Sequence, residues 1–521
     1  MRIASFISSS FSGQTKYTND SIVSILLAVG LSILSIEGLL FLVFFIKSII
    51  VIPILISIFG FLFLEYKKDR LLQINRKSFK ESYEYWRNHL LIAAISTFII
   101  MLFSGAGGVG IQHSDYYMNN TMLDILMQRE WPVWLSEIEQ SSINGIAEKR
   151  PIVYYFGYFL VPALFGKAFG WLVANIAFWL WTALHIFISL ALTLIWAVPH
   201  ADKAKRLFFV ILTFLFTSGL GFIGWWVKYG LAGYKTGYLW HESVVWDLPF
   251  VFTPHWHLLL WVPHHGLGAW IATLLLLFSI NFSWTLRYIG LALGSLLVVS
   301  PFGTVGVLPF FCLAVFISLF NNNWPKLFST INILGGVTIF LCAAAFLTSN
   351  EFNFPILFTL FVNGGAWRPL YIWFLGFEVG FVVLLHLIYR EQFTILQNWW
   401  FGMATFTLCL IPLLMMGEWN DWCARTSIPA WLVVGLMLST ICYKWLQEMT
   451  VSRITIALSL IFTMGLTSIT GDLWHSFTNY KIELPKPKQF IDYDKGTVTQ
   501  QRLGRKDTFF FKYLARSTDK K

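Results

Sequence analysis

The sequence predicts an all-α polytopic membrane protein, and three observations carry that prediction. Of its 521 residues, 57% are hydrophobic and 12% are charged, far below the ~25% charge of a soluble domain. Apolar runs long enough to cross a bilayer core of about 30 Å recur along the chain. Lys and Arg gather in short clusters between these runs, as the loops of one membrane side do. The net charge of +10 is therefore topological and excludes a nucleic-acid footprint.

The elements follow in order. The N-terminal MRIASFISSSFSGQTKYTND is polar. The apolar run behind it lacks a small-residue cleavage site, so a retained first span is expected. Spans are expected at about 22–46 and 48–65, followed by a basic segment with Lys67, Lys68, Arg70, Arg76, Lys77, Lys80 and Arg87 that is expected to be cytoplasmic. A third span at about 89–106 leads to a polar stretch to about 150. Within it Met118, Met122, Ile125 and Leu126 share one face of a short amphipathic helix. The run 152–168 is interrupted by Pro162 and Lys167 and reads as a helix at the interface, not a crossing. Further spans are expected near 171–197, 207–227, 266–284, 287–303, 304–320, 328–348, 371–389, 398–416, 428–446 and 454–470, for about 11–13 crossings in all.

The turns with Lys203, Lys205, Arg206, Arg287, Lys326, Arg390, Lys444 and Arg453 then share the cytoplasmic side. The loops 228–265, 349–370 and 417–427 take the other side, and so, by parity, does the basic tail 473–521. Residues 1–88 form a hairpin with its basic segment, and 89–472 form the main membrane domain. Cys312, Cys342, Cys409, Cys423 and Cys442 form no C-x-x-C pair and predict neither a disulfide framework nor a zinc site. The glycine run 105–110 lacks the Lys-Ser/Thr of a phosphate loop.

In so apolar a chain, clustered ionisable residues mark function. One cluster is His113-Ser114-Asp115-Tyr116-Tyr117, followed later by Lys149-Arg150-Pro151 and Tyr154-Tyr155. A second holds His241, Glu242, Asp247, His255, His257, His264 and His265. Smaller ones surround Arg368 and Arg425, the latter near Glu418 and Asp421, which are alternative partners for it. His113, Asp247, His255 and His257 are candidate ligands for a divalent ion, without the spacing of a known metal motif. His185 and His386 lie within spans and are expected to pack or to make contacts between helices.

This order of features resembles the GT-C superfamily of membrane glycosyltransferases, which use polyprenyl-phosphate-linked sugars and include protein mannosyltransferases and aminoarabinose transferases. The resemblance rests on His113-Ser114-Asp115-Tyr116-Tyr117, the helix near 118–130, Lys149-Arg150-Pro151 with Tyr154-Tyr155, and Leu164-Phe165-Gly166. It covers about residues 90–170. Two spans precede the superfamily's usual first one, and its motif carries one acidic residue here instead of a pair.

The resemblance implies a GT-C-like bundle with interfacial helices in the first external loop and 89–472 as the catalytic domain. It makes Asp115 the catalytic base, which would take or orient the proton of an acceptor hydroxyl. Lys149, Arg150, Arg368, Arg425, His241, Glu242 and Tyr154 become candidates for binding the lipid phosphate or shaping the acceptor site. Arginine suits phosphate because its planar fork binds two oxygens. The expected partners are a polyprenyl-phosphate sugar donor, membrane lipid and an acceptor of unstated class. The expected place is a cell (inner) membrane with the site on the non-cytoplasmic side. The competing readings are a transporter or flippase of lipid-linked saccharides and a polymerase or ligase of them. Transporters commonly carry inverted repeats and charges at mid-membrane; here the charges gather in loops.

Overall fold

A computed structural model describes residues 20–68, 76–136, 148–220, 250–352, 355–365, 368–417, 420–448, 467–486 and 501–517. The chain is an all-α membrane protein. Six described helices are long and apolar enough to cross a bilayer: α1 (Ser21–Phe45), α3 (Lys77–Phe103 within Arg76–Phe103), α6 (Trp171–Ala197), α11 (Pro301–Phe320), α13 (Arg368–Gln392) and α16 (Ile428–Gln447 within Ile428–Glu448). The remaining helices complete the order: α2 (Ser48–Lys68), α4 (Ser114–Gln128), α5 (Gly157–Phe169), α7 (Ala204–Leu215), α8 (His255–Trp261), α9 (Pro263–Phe278), α10 (Ile289–Val299), α12 (Ile331–Leu347), α14 (Ile395–Leu410), α15 (Asp421–Thr426) and α17 (Thr467–Thr478).

Several expected spans are thus shorter as helices than as apolar runs. The run 287–303 is helical only over Ile289–Val299, because Ser300 leaves the helix, caps the next one through Gly303 N, and Pro301 opens α11. A proline suits that first helical position, where its missing N–H costs nothing. Residues 221–249 and 449–466, with the end of the expected span 207–227 and most of 454–470, lie outside the described residues.

The helix ends sort onto two faces. On the basic face, Asp20 before α1 accepts from Ser82 and Trp86 of α3. There too Asn88 Nδ2 donates to the Asp202 carbonyl at 2.7 Å and His200 meets the Tyr443 hydroxyl at 2.6 Å. Lys203, Lys205, Arg206 and Lys444 lie at the same ends. On the opposite face, here the loop face, α1, α3, α12 and α14 end and α6, α11, α13 and α16 begin. Buried aromatic rings of Phe45, Phe156 and Phe346 pack beneath it.

Helix α5 is short. Its 13 residues span only ~20 Å at 1.5 Å each. It starts deep, where the Tyr158 hydroxyl donates to Thr182 of α6 at 2.8 Å. It returns to the loop face at Gly170, whose φ of 90° turns the chain into α6.

The tail is part of this face. Residues 501–504 lie beside 151–153: Val153 N donates to the Arg502 carbonyl at 2.9 Å and Gly504 N to the Pro151 carbonyl at 2.8 Å. Leu503 is buried, and its carbonyl accepts from Glu351 N at 2.8 Å. Two short strands, β1 (Trp134–Leu135) and β2 (Arg150–Pro151), pair antiparallel next to it. The glycine run 105–110 is structural: Gly108 has a φ of 85°, and a Cβ there would stand 2.1 Å from the Glu483 carbonyl oxygen. Its lack of a side chain lets 481–483 bridge Val109.

A candidate active site on the loop face

The loop face gathers ionisable side chains from five distant parts of the chain. The first is the turn into α4. His113 precedes the helix and Asp115 lies in its first turn. Met118, Met122, Ile125 and Leu126 are buried, so the helix is pinned by the face that its periodicity predicts; Asp115 shares that face by spacing and is exposed because it stands at the helix's N-terminal end.

Arg425 comes from α15. Asn420 starts this helix at a φ of 48°, and its side chain accepts from Cys423 N at 3.3 Å. The helix closes onto α11 because Gly306 lets the Thr426 carbonyl approach; a Cβ there would stand 2.1 Å away. Arg425 Nη2 pairs with Asp421 at 3.0 Å, and Nη1 donates to the Tyr155 hydroxyl at 3.0 Å. Of the two acidic partners expected for Arg425, Asp421 takes the role; Glu418 lies outside the described residues.

Tyr155 stands on a buried aromatic bed. Its ring centre is 3.8 Å from that of Tyr154 and 4.8 Å from His265. His264 and His265 are both buried at the start of α9. Arg502, from the tail, lies over the Tyr154 ring at 5.1 Å.

Asp115 and Arg425, 310 positions apart in the chain, interact electrostatically here. Asp115 is exposed, yet protein closely rings it. It therefore lines a recess. Enclosure pushes its carboxyl above the ordinary range; Arg425, His257 and Arg502 pull it down, and Asp421 adds to the rise. Among the described residues no hydrogen-bond donor reaches its carboxylate. Burial opposes the charge on Arg425, but Asp421, Tyr155, Tyr154 and Asp115 outweigh it and keep the guanidinium charged.

Beside Asp115 is a third group. His257 Nδ1 donates to Asp472 of α17 at 2.9 Å. The Trp261 indole donates to the same carboxylate at 3.4 Å. The imidazoles of His257 and His113 both lie flat against Trp261, at 4.8 and 4.2 Å. His475 lies 5.5 Å from His113.

The other expected site residues fall elsewhere. Arg150 pairs with Glu351 and, at 3.4 Å, with Glu148. Lys149 lies 5.8 Å from the Trp134 ring centre. These two bind the loop to its neighbours on the same face. Arg368 donates to the Leu360 carbonyl at 2.9 Å and covers Phe361, so it folds onto its own loop. His241, Glu242 and Asp247 lie outside the described residues.

Of the four candidate metal ligands, Asp247 lies outside the described residues and His255 stands apart from His113 and His257. His255 is buried, donates from Nδ1 to the Phe214 carbonyl at 2.8 Å and packs on Trp270. Two residues on a helix turn ~200°, so His255 points into the core where His257 points to the recess. Among the described residues no three metal-ligating side chains come together; Asp421 and Asp472 are already paired with Arg425 and His257.

Sequence reasoning passed over Asp472, His475 and Arg502. Asp472 had a signal, a lone acid in an apolar stretch. Arg502 had none, being one basic residue among several in a polar tail. Compared with protein-family models, curated proteins and solved structures, the chain matches none.

Proposed function

We propose that this protein is a membrane glycosyltransferase of GT-C type, moving a sugar from a polyprenyl-phosphate donor to an acceptor hydroxyl at the non-cytoplasmic face. On this reading the shorter apolar helices other than α5 also cross, for about 11–13 spans, and the recess opens away from the basic face. The observation that carries it is the meeting of Asp115 and Arg425 at one recess of the loop face, with Arg425 bonded to Tyr155 of the Tyr154/Tyr155 pair.

Each part has a task. Asp115 takes the acceptor proton; a carboxyl whose affinity for protons is raised by its surroundings is a better base than an exposed one. Arg425, already permanently charged, faces the phosphate that carries the departing negative charge. The Tyr155 hydroxyl holds its guanidinium in place, and Asp421 orients it from behind. Arg502 adds a second cation near Tyr154. The isoprenoid chain stays in the lipid against the apolar helices.

The test begins with the product. The protein in nanodiscs is titrated with polyprenyl phosphate and read by native mass spectrometry. Binding is expected in the wild type and in Asp115→Asn, and weakened about tenfold or more in Arg425→Gln. Polyprenyl phosphates carrying tritiated glucose, mannose or N-acetylglucosamine are then supplied with membrane extract as acceptor. Transfer by wild type and none by Asp115→Asn supports the reading. Failure of wild type to bind polyprenyl phosphate at all would end it.

A further inference from the structure

We infer that His257, held by Asp472, is a second proton-handling residue of this recess, giving a proton to the departing phosphate while Asp115 receives one from the acceptor. The inference rests on the glycosyl-transfer reading and extends it.

Geometry carries the argument. A histidine that works in proton transfer needs a fixed ring and a fixed tautomer, and a carboxylate on Nδ1 supplies both. Here Asp472 Oδ2 accepts from His257 Nδ1 at 2.9 Å, while its Oδ1 accepts from Trp261 at 3.4 Å. The carboxylate is 4% exposed and the imidazole 19%, so the orienting group is sealed and the ring remains accessible. The flat contact with Trp261 at 4.8 Å fixes the ring plane. With Nδ1 committed to Asp472, the ring's other nitrogen, Nε2, lies on the side away from it.

The partners come from different elements. His257 is on α8, Asp472 on α17, and they are 215 positions apart. A purely structural pair would serve as well in the apolar core, where His255 sits two residues earlier. Instead it borders the recess, close enough to Asp115 for their charges to interact. Around the recess stand Asp115 and His113 at the start of α4, Asp421 and Arg425 on α15, Asp472 and His475 on α17, and Arg502 on the tail. Burial works against charge on Asp472, and His257, His113 and Trp261 outweigh it, so the carboxyl is held below its ordinary range. It is an anion, fit to support an imidazolium.

The step balances. The acceptor oxygen bonds to the anomeric carbon as the bond from that carbon to the phosphate oxygen breaks. The hydroxyl proton passes to the Asp115 carboxylate. The electron pair of the broken bond stays on the phosphate oxygen, and His257 Nε2 gives that oxygen its proton. The open recess lets water reset both groups, with Asp115 releasing one proton and His257 regaining one.

The experiment measures transfer from whichever of the three tritiated donors the wild type uses, over pH 5 to 9. His257→Gln is expected to lose about a hundredfold in kcat, with polyprenyl phosphate still bound. Asp472→Asn, nearly the same shape, is expected to lose less and to move the alkaline limb to lower pH, because it removes the anion that favours imidazolium. Asp472→Glu should restore part of both. If His257→Gln keeps wild-type kcat while Asp115→Asn is inactive, this inference fails and the glycosyltransferase stands. If the wild type uses no donor, the reading beneath it fails. If His257→Gln does not survive purification, Asp472→Asn decides: a pH profile that coincides with wild type overturns the proposal.

Discussion

Asp202 and Asp115 sit at opposite ends of the same bundle and are shifted in opposite directions. On the basic face, burial alone would raise the Asp202 carboxyl, but Tyr443, Lys203 N, Arg206 and His200 outweigh it and hold the group low. Lys203 N donates to it at 2.6 Å and Arg206 at 3.1 Å, and the Tyr443 hydroxyl donates as well. Tyr443 in turn accepts from Gln447 at 2.6 Å. Every partner is supplied, and the result is a clamp between α3, α7 and α16. On the loop face Asp115 has cations near it, no donor among the described residues, and access to water. A carboxyl satisfied by hydrogen bonds stabilises a fold; one held up by its surroundings is available for chemistry.

The largest expected effect separates the two. Asp115→Asn should reduce sugar transfer about a thousandfold and leave the thermal midpoint in detergent near wild type. Asp202→Ala should do the reverse. It should lower stability by about 2 kcal/mol, since it strips a buried acceptor from several donors, and the folded fraction should retain its specific activity. Loss of activity per folded molecule in Asp202→Ala would break the comparison.

Next is Arg425→Gln, expected to cost about a hundredfold in transfer through lost stabilisation of the phosphate. A smaller effect sharpens the electrostatics. The acid limb of the rate should lie above the ordinary carboxylate range, because the Asp115 carboxyl is raised. Asp421→Asn should move that limb to lower pH by removing a like charge, and Arg502→Gln should move it to higher pH by removing an opposite one. A limb that ignores both would disconnect Asp115 from the rate.

Stability should follow the same signs. The contribution of Asp202 is present above the usual carboxylate pKa and fades as pH falls through its lowered folded value. That of Asp115 is complete at low pH and is lost as pH rises through its raised value. The smallest effect is at the rim. Lys506 pairs with Glu148 at 2.5 Å, but both are open to solvent, and Lys506→Ala should leave the thermal midpoint unmoved within error.

Local pattern carried the fold and stopped short of the site. The run 171–197 emerges as α6 with the same bounds, and the face of Met118, Met122, Ile125 and Leu126 is the one that α4 buries. Both follow from periodicity and apolar length, which act over a few turns. Pro162 and Lys167 fall within α5, which is only 13 residues long. What was not legible depends on contacts between distant segments. Nothing near His257 names Asp472 as its partner. Nothing in the tail's composition distinguishes Arg502 from Arg505 or Lys506; only the strand pairing with Ile152 and Val153 does. His255 and His257 were grouped as candidate ligands by residue type, although a helix sends two residues so spaced to opposite sides.

The segment 501–505 is synthesised after every helix it touches. Until it leaves the ribosome and reaches the same end of the bundle as residues 151–153, Leu503 has no seat and Arg502 is absent from Tyr154. The recess therefore matures in one late step, after the membrane bundle has been laid down. A chain cut before position 501 would keep its helices and yet be born unfinished.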